Sequence, residues 1–401
     1  MGTNSRRPRV GGVSRRVVLG GAAGGVLGGA LGGALGGAGG VAGAVPAGRV
    51  RWAASWATAQ TAPTPTDTDA TNGFTNTTLR YTLRLSAGTT ASTDAGGAVL
   101  RLRFANPFGV APITLGPISV AATQSGGECR VSFGGAGQAV LAAGASVVSD
   151  SVGLVVADGG DVMVRIHLPG PTGPVSFHRN VHATGFIGDR ATNSVFLLNG
   201  IDVPATGRPV IAVLGDSITE GVGTPDNANL RWPDQYAARF RRRPAVANLG
   251  ISGNRVLLDD TRFGPSGQSR FDRDVLGLPN LRTLVMFLGI NDIQQPPSQT
   301  DPARILQGYA QLVRRAHDHD LDVIGVTIGP FKGWIRYTDA LDQVRNDVNA
   351  VLRHGGLFDR LLDVDAALRD PADPARLRPE FNSGDGLHPN SAGATAIAMA
   401  L

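Results

Sequence analysis

The chain has 401 residues, 42% of them hydrophobic, with 37 Lys and Arg against 32 Asp and Glu, a formal charge of +5. That length allows about two domains of ordinary size, and the apolar fraction is enough to build real cores. The single cysteine, Cys129, excludes an intramolecular disulfide and any cysteine-based zinc site. The positive charge would by itself point to nucleic acid or anionic lipid. It is concentrated at one end, however: residues 1–44 hold five arginines and no acid, and removing those five leaves 32 basic against 32 acidic residues.

Residues 1–44 read as an export address. Ser14-Arg-Arg-Val-Val-Leu19 places a twin-arginine pair before a mildly apolar Gly/Ala/Leu/Val run that ends in Ala42-Gly43-Ala44, a small-x-small cleavage pattern. The paired arginines point to the twin-arginine route, in which the signal is read as an address and the cargo crosses already folded. A glycine-rich stretch forms a poor helix and buries little apolar surface, so a retained membrane anchor is disfavoured. The expectation is a secreted protein with no stable membrane insertion once the signal is removed.

Residues 45–75, rich in Ala, Thr, Pro and Asp, predict an irregular lead-in anchored by Trp52 and Trp56. Over 76–205 short alternating runs follow, among them Leu79–Leu85, Val99–Phe104, Val162–Leu168, Val175–His178 and Ser194–Leu198, broken by Gly, Pro, Asn and Asp. Arg101 and Arg103 share one face of the second run. Many short strands at close spacing predict an all-β sandwich, jelly-roll-like in character.

From Pro209 the texture changes, and the boundary is expected near 204–209. Apolar runs at Val210–Leu214, Ala245–Leu249, Arg282–Leu288, Asp322–Ile328 and Leu361–Val364 alternate with helical patterns at Pro233–Arg242, Pro302–Asp318, Asp339–Arg353 and from Ser391. Continuous apolar strands separated by helices predict a parallel sheet covered on both faces, an α/β domain over 209–401.

Four strand-end segments carry the candidate chemistry. Leu214-Gly-Asp-Ser-Ile-Thr-Glu-Gly221 puts Ser217 after the first strand, where ligands bind in an open α/β sheet. It lacks the Gly-x-Ser-x-Gly of the general lipase elbow, since position 219 is Thr. Ser383-Gly-Asp-Gly-Leu-His-Pro-Asn390 sets Asp385 three residues before His388 in a glycine-rich loop, so the carboxylate can reach Nδ1 and leave Nε2 for a serine proton. Asn248-Leu-Gly-Ile-Ser-Gly-Asn-Arg255 and Leu288-Gly-Ile-Asn-Asp292 offer the Gly253 backbone N–H and the Asn291 amide, donor types that an oxyanion hole requires. Read singly, each is also ordinary turn chemistry.

The order Ser, Gly, Asn, His across four strand ends resembles the SGNH hydrolases, the GDSL family of esterases and lipases, and the resemblance covers residues 209–401. It implies Ser217 as nucleophile, His388 as base, Asp385 as its orienting partner, and an oxyanion hole at Ser217, Gly253 and Asn291, with Asp216 and Asp292 supporting their loops. It implies hydrolysis of acyl esters without metal or organic cofactor. A small acyl ester or an acylated polysaccharide is the expected substrate, with acetyl groups on carbohydrate favoured over lipid or lysophospholipid esters because the β-rich front half is similar, loosely, to carbohydrate-associated sandwiches. A catalytically inactive carbohydrate-binding surface protein is the alternative from another class. About ten residues remain for the final helix, where the family has a longer one.

Other signals are weaker. His178 and His182 lack a third metal ligand and are expected in loop or interdomain hydrogen bonds. Arg241–Arg243 are expected at a helix C-terminus rather than on nucleic acid. Trp232, Phe331 and Trp334 either line a pocket or pack loops. Cys129 reads as an edge-strand residue.

Overall fold

The computed structural model describes residues 50–89, 97–124 and 126–401. The export signal expected over 1–44 lies outside the described residues. The described residues form one compact unit.

The N-terminal domain is built from strands that alternate as the sequence alternates. Thr77–Arg84 buries Leu79, Tyr81 and Leu83 and turns Thr78 and Thr82 outward; Val99–Ala105 buries Leu100, Leu102 and Phe104. One antiparallel sheet orders Trp52–Ala57, Leu198–Pro204, Val99–Ala105 and Ser146–Val148. A second orders Arg190–Thr192, Gly185–Ile187, Thr77–Arg84, Asp161–Leu168, Ile118–Ala122 and Glu128–Val131, with Cys129 on that edge strand. The buried sides of both join one hydrophobic core, in which each fully buried large apolar side chain contributes about 1.5–3 kcal/mol. Arg101 and Arg103 converge on the buried Asp202 carboxylate, each Nε 2.9 Å from an oxygen.

Two expectations for this half change. Residues 45–75 are not irregular throughout: Trp52–Ala57 is a strand paired with Leu198–Pro204, and Thr68–Asn72 is a short helix. Ala53 to Ala57 are all buried, so a strand covered on both faces shows no alternation for a reader to detect. The run Ser194–Leu198 is broken by Leu197 at φ 64°, which separates a two-residue pairing of Val195–Phe196 with Phe177–His178 from the longer strand that starts at Leu198.

The C-terminal domain is an α/β sandwich. Its parallel sheet orders Ala245–Gly250, Val210–Gly215, Leu281–Phe287, Asp322–Val326 and Arg360–Leu362. The first two residues of the alternation explain its two covers. Val210, Ala212 and Leu214 fall in one hydrophobic core with Ile305, Tyr309 and Leu312 of helix Pro302–His317, while Ile211 and Val213 fall in another with Trp232, Ala237 and Ile397 from helices Trp232–Ala238 and Ser391–Ala400. Asp301 and Asn390 cap their helices by accepting from Ala303 N and from Ala392 N and Gly393 N. Helix Trp232–Ala238 ends before the arginine triplet. Arg242 and the Arg243 carbonyl instead bond Thr206 and Arg208, at the connection between the two domains.

The edge strand Ala245–Gly250 is not left open. Val246 N donates to Ser86 Oγ at 2.8 Å, so a turn of the β domain caps this edge. The C-terminal ends of the three strands Val210–Gly215, Ala245–Gly250 and Leu281–Phe287 consequently open toward one rim, which the β domain borders.

Candidate active site

Ser217 is the first residue of the short helix Ser217–Glu220, entered directly from strand Val210–Gly215. Asp216 makes the sharp entry possible: its Oδ1 accepts from Ile218 N at 3.0 Å as an N-cap. Ser217 Oγ lies 2.8 Å from His388 Nε2, and His388 Nδ1 lies 2.6 Å from Asp385 Oδ2. The other Asp385 oxygen accepts from Leu387 N and His388 N, both at 2.9 Å. The ring therefore presents Nδ1–H to the carboxylate and Nε2 to the serine hydroxyl, the tautomer that accepts a proton from Oγ.

The loop that carries His388 is held at both ends. Asn382 Oδ1 accepts from Gly384 N and Gly386 N, and Asn390 Nδ2 donates to the carbonyls of Glu380 and Asn382. Gly386 sits at φ 83° with its Cα against the Gly333–Trp334 backbone, where a Cβ would fall 2.5 Å from Gly333 C. These bonds anchor the loop ahead of the short last helix.

Asn291 is oriented by two glutamines. Its Oδ1 accepts from Gln294 Nε2 and Gln295 Nε2, each at 2.8 Å, so its Nδ2 is the donor and gives one hydrogen to Asn254 O at 3.1 Å. A primary amide has two, and one remains to be given. Gln295 also donates to Gly253 O at 3.2 Å. Gly253 takes φ 77° beneath Phe263, which leaves no room for a side chain. Among the described residues the N–H groups of Ser217 and Gly253 have no acceptor. Serine, glycine and asparagine thus bring three donors to the same rim.

Several supports were not legible beforehand. Arg270, fully buried, donates to Leu249 O, Gly215 O and Asn254 Oδ1, tying two strand ends to the Asn254 loop. Asp292 accepts from Val256 N and Leu257 N on the same loop. Glu220, on the Ser217 helix, accepts from Ser252 Oγ and Ser252 N next to Gly253 and faces His178 Nε2 of the β domain at 3.3 Å. His178 also bonds the carbonyls of Ala59 and Asn180, and His182 Nδ1 bonds Asp226, so neither ring is presented as half of a metal pair. Of the three aromatic candidates, Phe331 is core and Trp232 is buried against Phe287. Trp334 alone meets the relay, edge-on to the His388 ring at 5.7 Å, while its Nε1 donates to Gln294.

The sequence of residues 213–396 matches the GDSL-like Lipase/Acylhydrolase family. Among solved structures, the chain is similar to the aryl esterase of M. smegmatis (18% identity over 48% of this chain and 95% of that one, TM-score 0.40). It is similar too to a carbohydrate acetylesterase family member from Sinorhizobium meliloti (18%, 48% and 95%, TM-score 0.37). A GDSL-like lipase from Bacteroides thetaiotaomicron gives 19% identity over 49% of this chain and 87% of that one, with a TM-score of 0.37. No curated protein matches the chain.

Four carboxyls surround the site, and their environments sort them. Burial would raise Asp385, but the His388 ring and two backbone N–H groups outweigh it and hold the carboxyl well below its ordinary range. Glu220 is lowered in the same way, by His178 and Ser252 against burial. Burial prevails at the other two, pushing Asp216 up to about 7 and Asp292 up to about 6. Asp216 Oδ2 is enclosed without a partner, which is what a carboxyl that keeps its proton can tolerate. A carboxyl whose pKa is raised in the fold favours folding at low pH and loses that contribution as pH climbs from about 4 through about 7. Asp216→Asn removes the ionisation cost. The stability of the variant relative to the wild type, measured by urea denaturation, is therefore expected to rise by on the order of 2–3 kcal/mol between pH 5 and pH 8. A difference independent of pH would refute the assignment.

Proposed function

Residues 213–396 belong to the GDSL-like lipase/acylhydrolase family, and from that premise we propose that the protein is an exported serine esterase acting on small acyl esters, with acetylated carbohydrate as the favoured substrate. The observation that carries this reading is the unbroken relay from Asp385 through His388 to Ser217, with bonds of 2.6 and 2.8 Å.

In the proposed cycle Ser217 Oγ attacks the ester carbonyl as its proton passes to His388 Nε2. Asp385 keeps the ring oriented and stabilises the imidazolium without taking a proton. The N–H groups of Ser217 and Gly253 and the free amide hydrogen of Asn291 bond the oxyanion as charge develops on it. His388 returns the proton to the departing alcohol, and water then releases the acid from the acyl-serine by the reverse path.

Fluorophosphonate labelling together with hydrolysis of p-nitrophenyl esters from acetate to octanoate tests the reading. Ser217→Ala is expected to abolish both signals, and Asn291→Ala to lower kcat by about 10²–10³. The acetate should be turned over fastest. Labelling that survives Ser217→Ala removes the esterase and leaves a carbohydrate-binding protein, whereas rates that climb toward octanoate replace the short-acyl substrate with a lipid.

Glu220 is proposed to act through the Gly253 loop. Glu220→Gln, which weakens its hold on Ser252, is expected to lower kcat roughly tenfold, the cost of a displaced oxyanion donor being up to about 10²–10³, with KM for p-nitrophenyl acetate nearly unchanged. A rise in KM at constant kcat would instead make Glu220 part of ground-state binding.

Export is proposed from residues 1–44 alone. Replacing Arg15 and Arg16 together by Lys should retain the activity in the cytoplasmic fraction of a bacterial host that has the twin-arginine route. Unchanged recovery from the medium would exclude that route.

A further inference from the structure

An open cleft of about 330 Å³ lies beside the relay, lined among others by Arg255, Phe263, Gln294, Gln295, Trp334 and Arg336. Its lining residues touch the proposed catalytic ones from outside. Trp334 lies against His388, both glutamines grip Asn291, and Phe263 covers Gly253. The alcohol of an ester departs toward His388, which protonates it, so an alcohol portion of any size runs along Trp334 into this cleft.

The charge in the cleft is unbalanced. Arg255 is only 3% exposed, yet neither it nor Arg336 has a carboxylate within 4.0 Å among the described residues. One Arg255 nitrogen, Nη2, donates to Gln295 Oε1 and Pro296 O. Nε is enclosed and unpartnered, while Nη1 has no partner and is not enclosed, which leaves it facing the cleft. A buried guanidinium with unused donors is costly unless a partner completes it. Two acids lie nearby and neither forms an ion pair with it, although Asp292 attracts Arg255 from a distance. Burial pushes the Asp292 carboxyl up to about 6, and its oxygens already accept from Val256 N and Leu257 N. Asp260, also in the lining, accepts from Arg262 N and Phe263 N through Oδ1.

We propose that Arg255 and Arg336 bind a carboxylate on the alcohol portion of the ester, so that the substrate is an O-acylated uronic acid unit rather than a neutral acylated sugar. The inference rests on the esterase reading above. Trp334, which lines the cleft, packs on His388, so the cleft lies on the side where the alcohol departs and the charge falls on the alcohol portion. The planar fork of Arg255 matches a carboxylate, and the aromatic faces of Trp334 and Phe263 suit the apolar side of a sugar ring.

The test measures acetate release from a mono-O-acetylated methyl galactosiduronate and from the same compound with its carboxyl methylated. The wild type should prefer the free acid by roughly tenfold or more in kcat/KM, the scale of a charge-assisted hydrogen bond. That preference should shrink to about twofold in Arg255→Gln and fall by roughly threefold in Arg336→Ala, an exposed position where folding is not at stake. It should also weaken from low to high salt. Each preference is a ratio taken within one protein, so loss of fold or of basal rate cancels. Hydrolysis of p-nitrophenyl acetate with no preference for the free acid, with no action on either sugar ester, or with a preference that both variants retain overturns the proposal and leaves the esterase standing. Failure on p-nitrophenyl acetate as well overturns the esterase itself.

Discussion

A 2.8 Å hydrogen bond joins Ser217 to His388 across 171 residues of chain, and the surrounding structure is organised around keeping it. A contact between two flexible loops would cost the ordering of both. Here neither end is free to wander. Ser217 is pinned between a strand and a helix that share a capped turn, and His388 rides on a loop whose carbonyls and N–H groups are taken up by Asn382 and Asn390. Trp334 bridges the remaining gap: it packs on the His388 ring and bonds Gln294, which in turn grips Asn291. His388 and Asn291 are therefore fixed relative to each other by a short chain of contacts rather than by the sheet alone.

The β domain takes part in that fixation. Ser86 closes the exposed edge of the strand leading to the Gly253 loop, and His178 meets Glu220 behind the nucleophile helix. Glu220 is buried as an acid lowered in pKa, a state that depends on His178 and Ser252. Loss of either partner would leave a charge unsatisfied within four residues of Ser217. This couples the β domain to the rim that carries Ser217 through hydrogen bonds and makes it more than a neighbouring module.

Much of the C-terminal domain was legible because its strands are continuous apolar runs and its helices periodic, and because four short motifs fall at strand ends. The relay itself could be read from the three-residue spacing of Asp385 and His388. What sequence could not show was of two kinds. Trp52–Ala57 is buried on both sides and so carries no alternation. Gln294, Gln295, Glu220 and Arg270 carry no motif of their own, since their importance comes from what they touch across the fold. Trp334 was visible as an aromatic after a strand, yet only its contact with His388 separates it from Phe331, which is plain core.

The charge balance gains a second meaning in three dimensions. Outside the first 44 residues basic and acidic side chains are equal in number, so a net field cannot attract an anionic substrate over distance. Equality of numbers does not require equality of place. Most arginines near the rim are consumed internally: Arg231 by Asp234, Arg273 by Asp274, Arg270 by carbonyls. Arg255 and Arg336 stand apart from this pairing, at a cleft whose Trp334 touches His388 and whose Gln294 and Gln295 touch Asn291. A formally neutral chain can in this way still present local positive charge at this cleft, and specificity there comes from contact instead of from long-range steering.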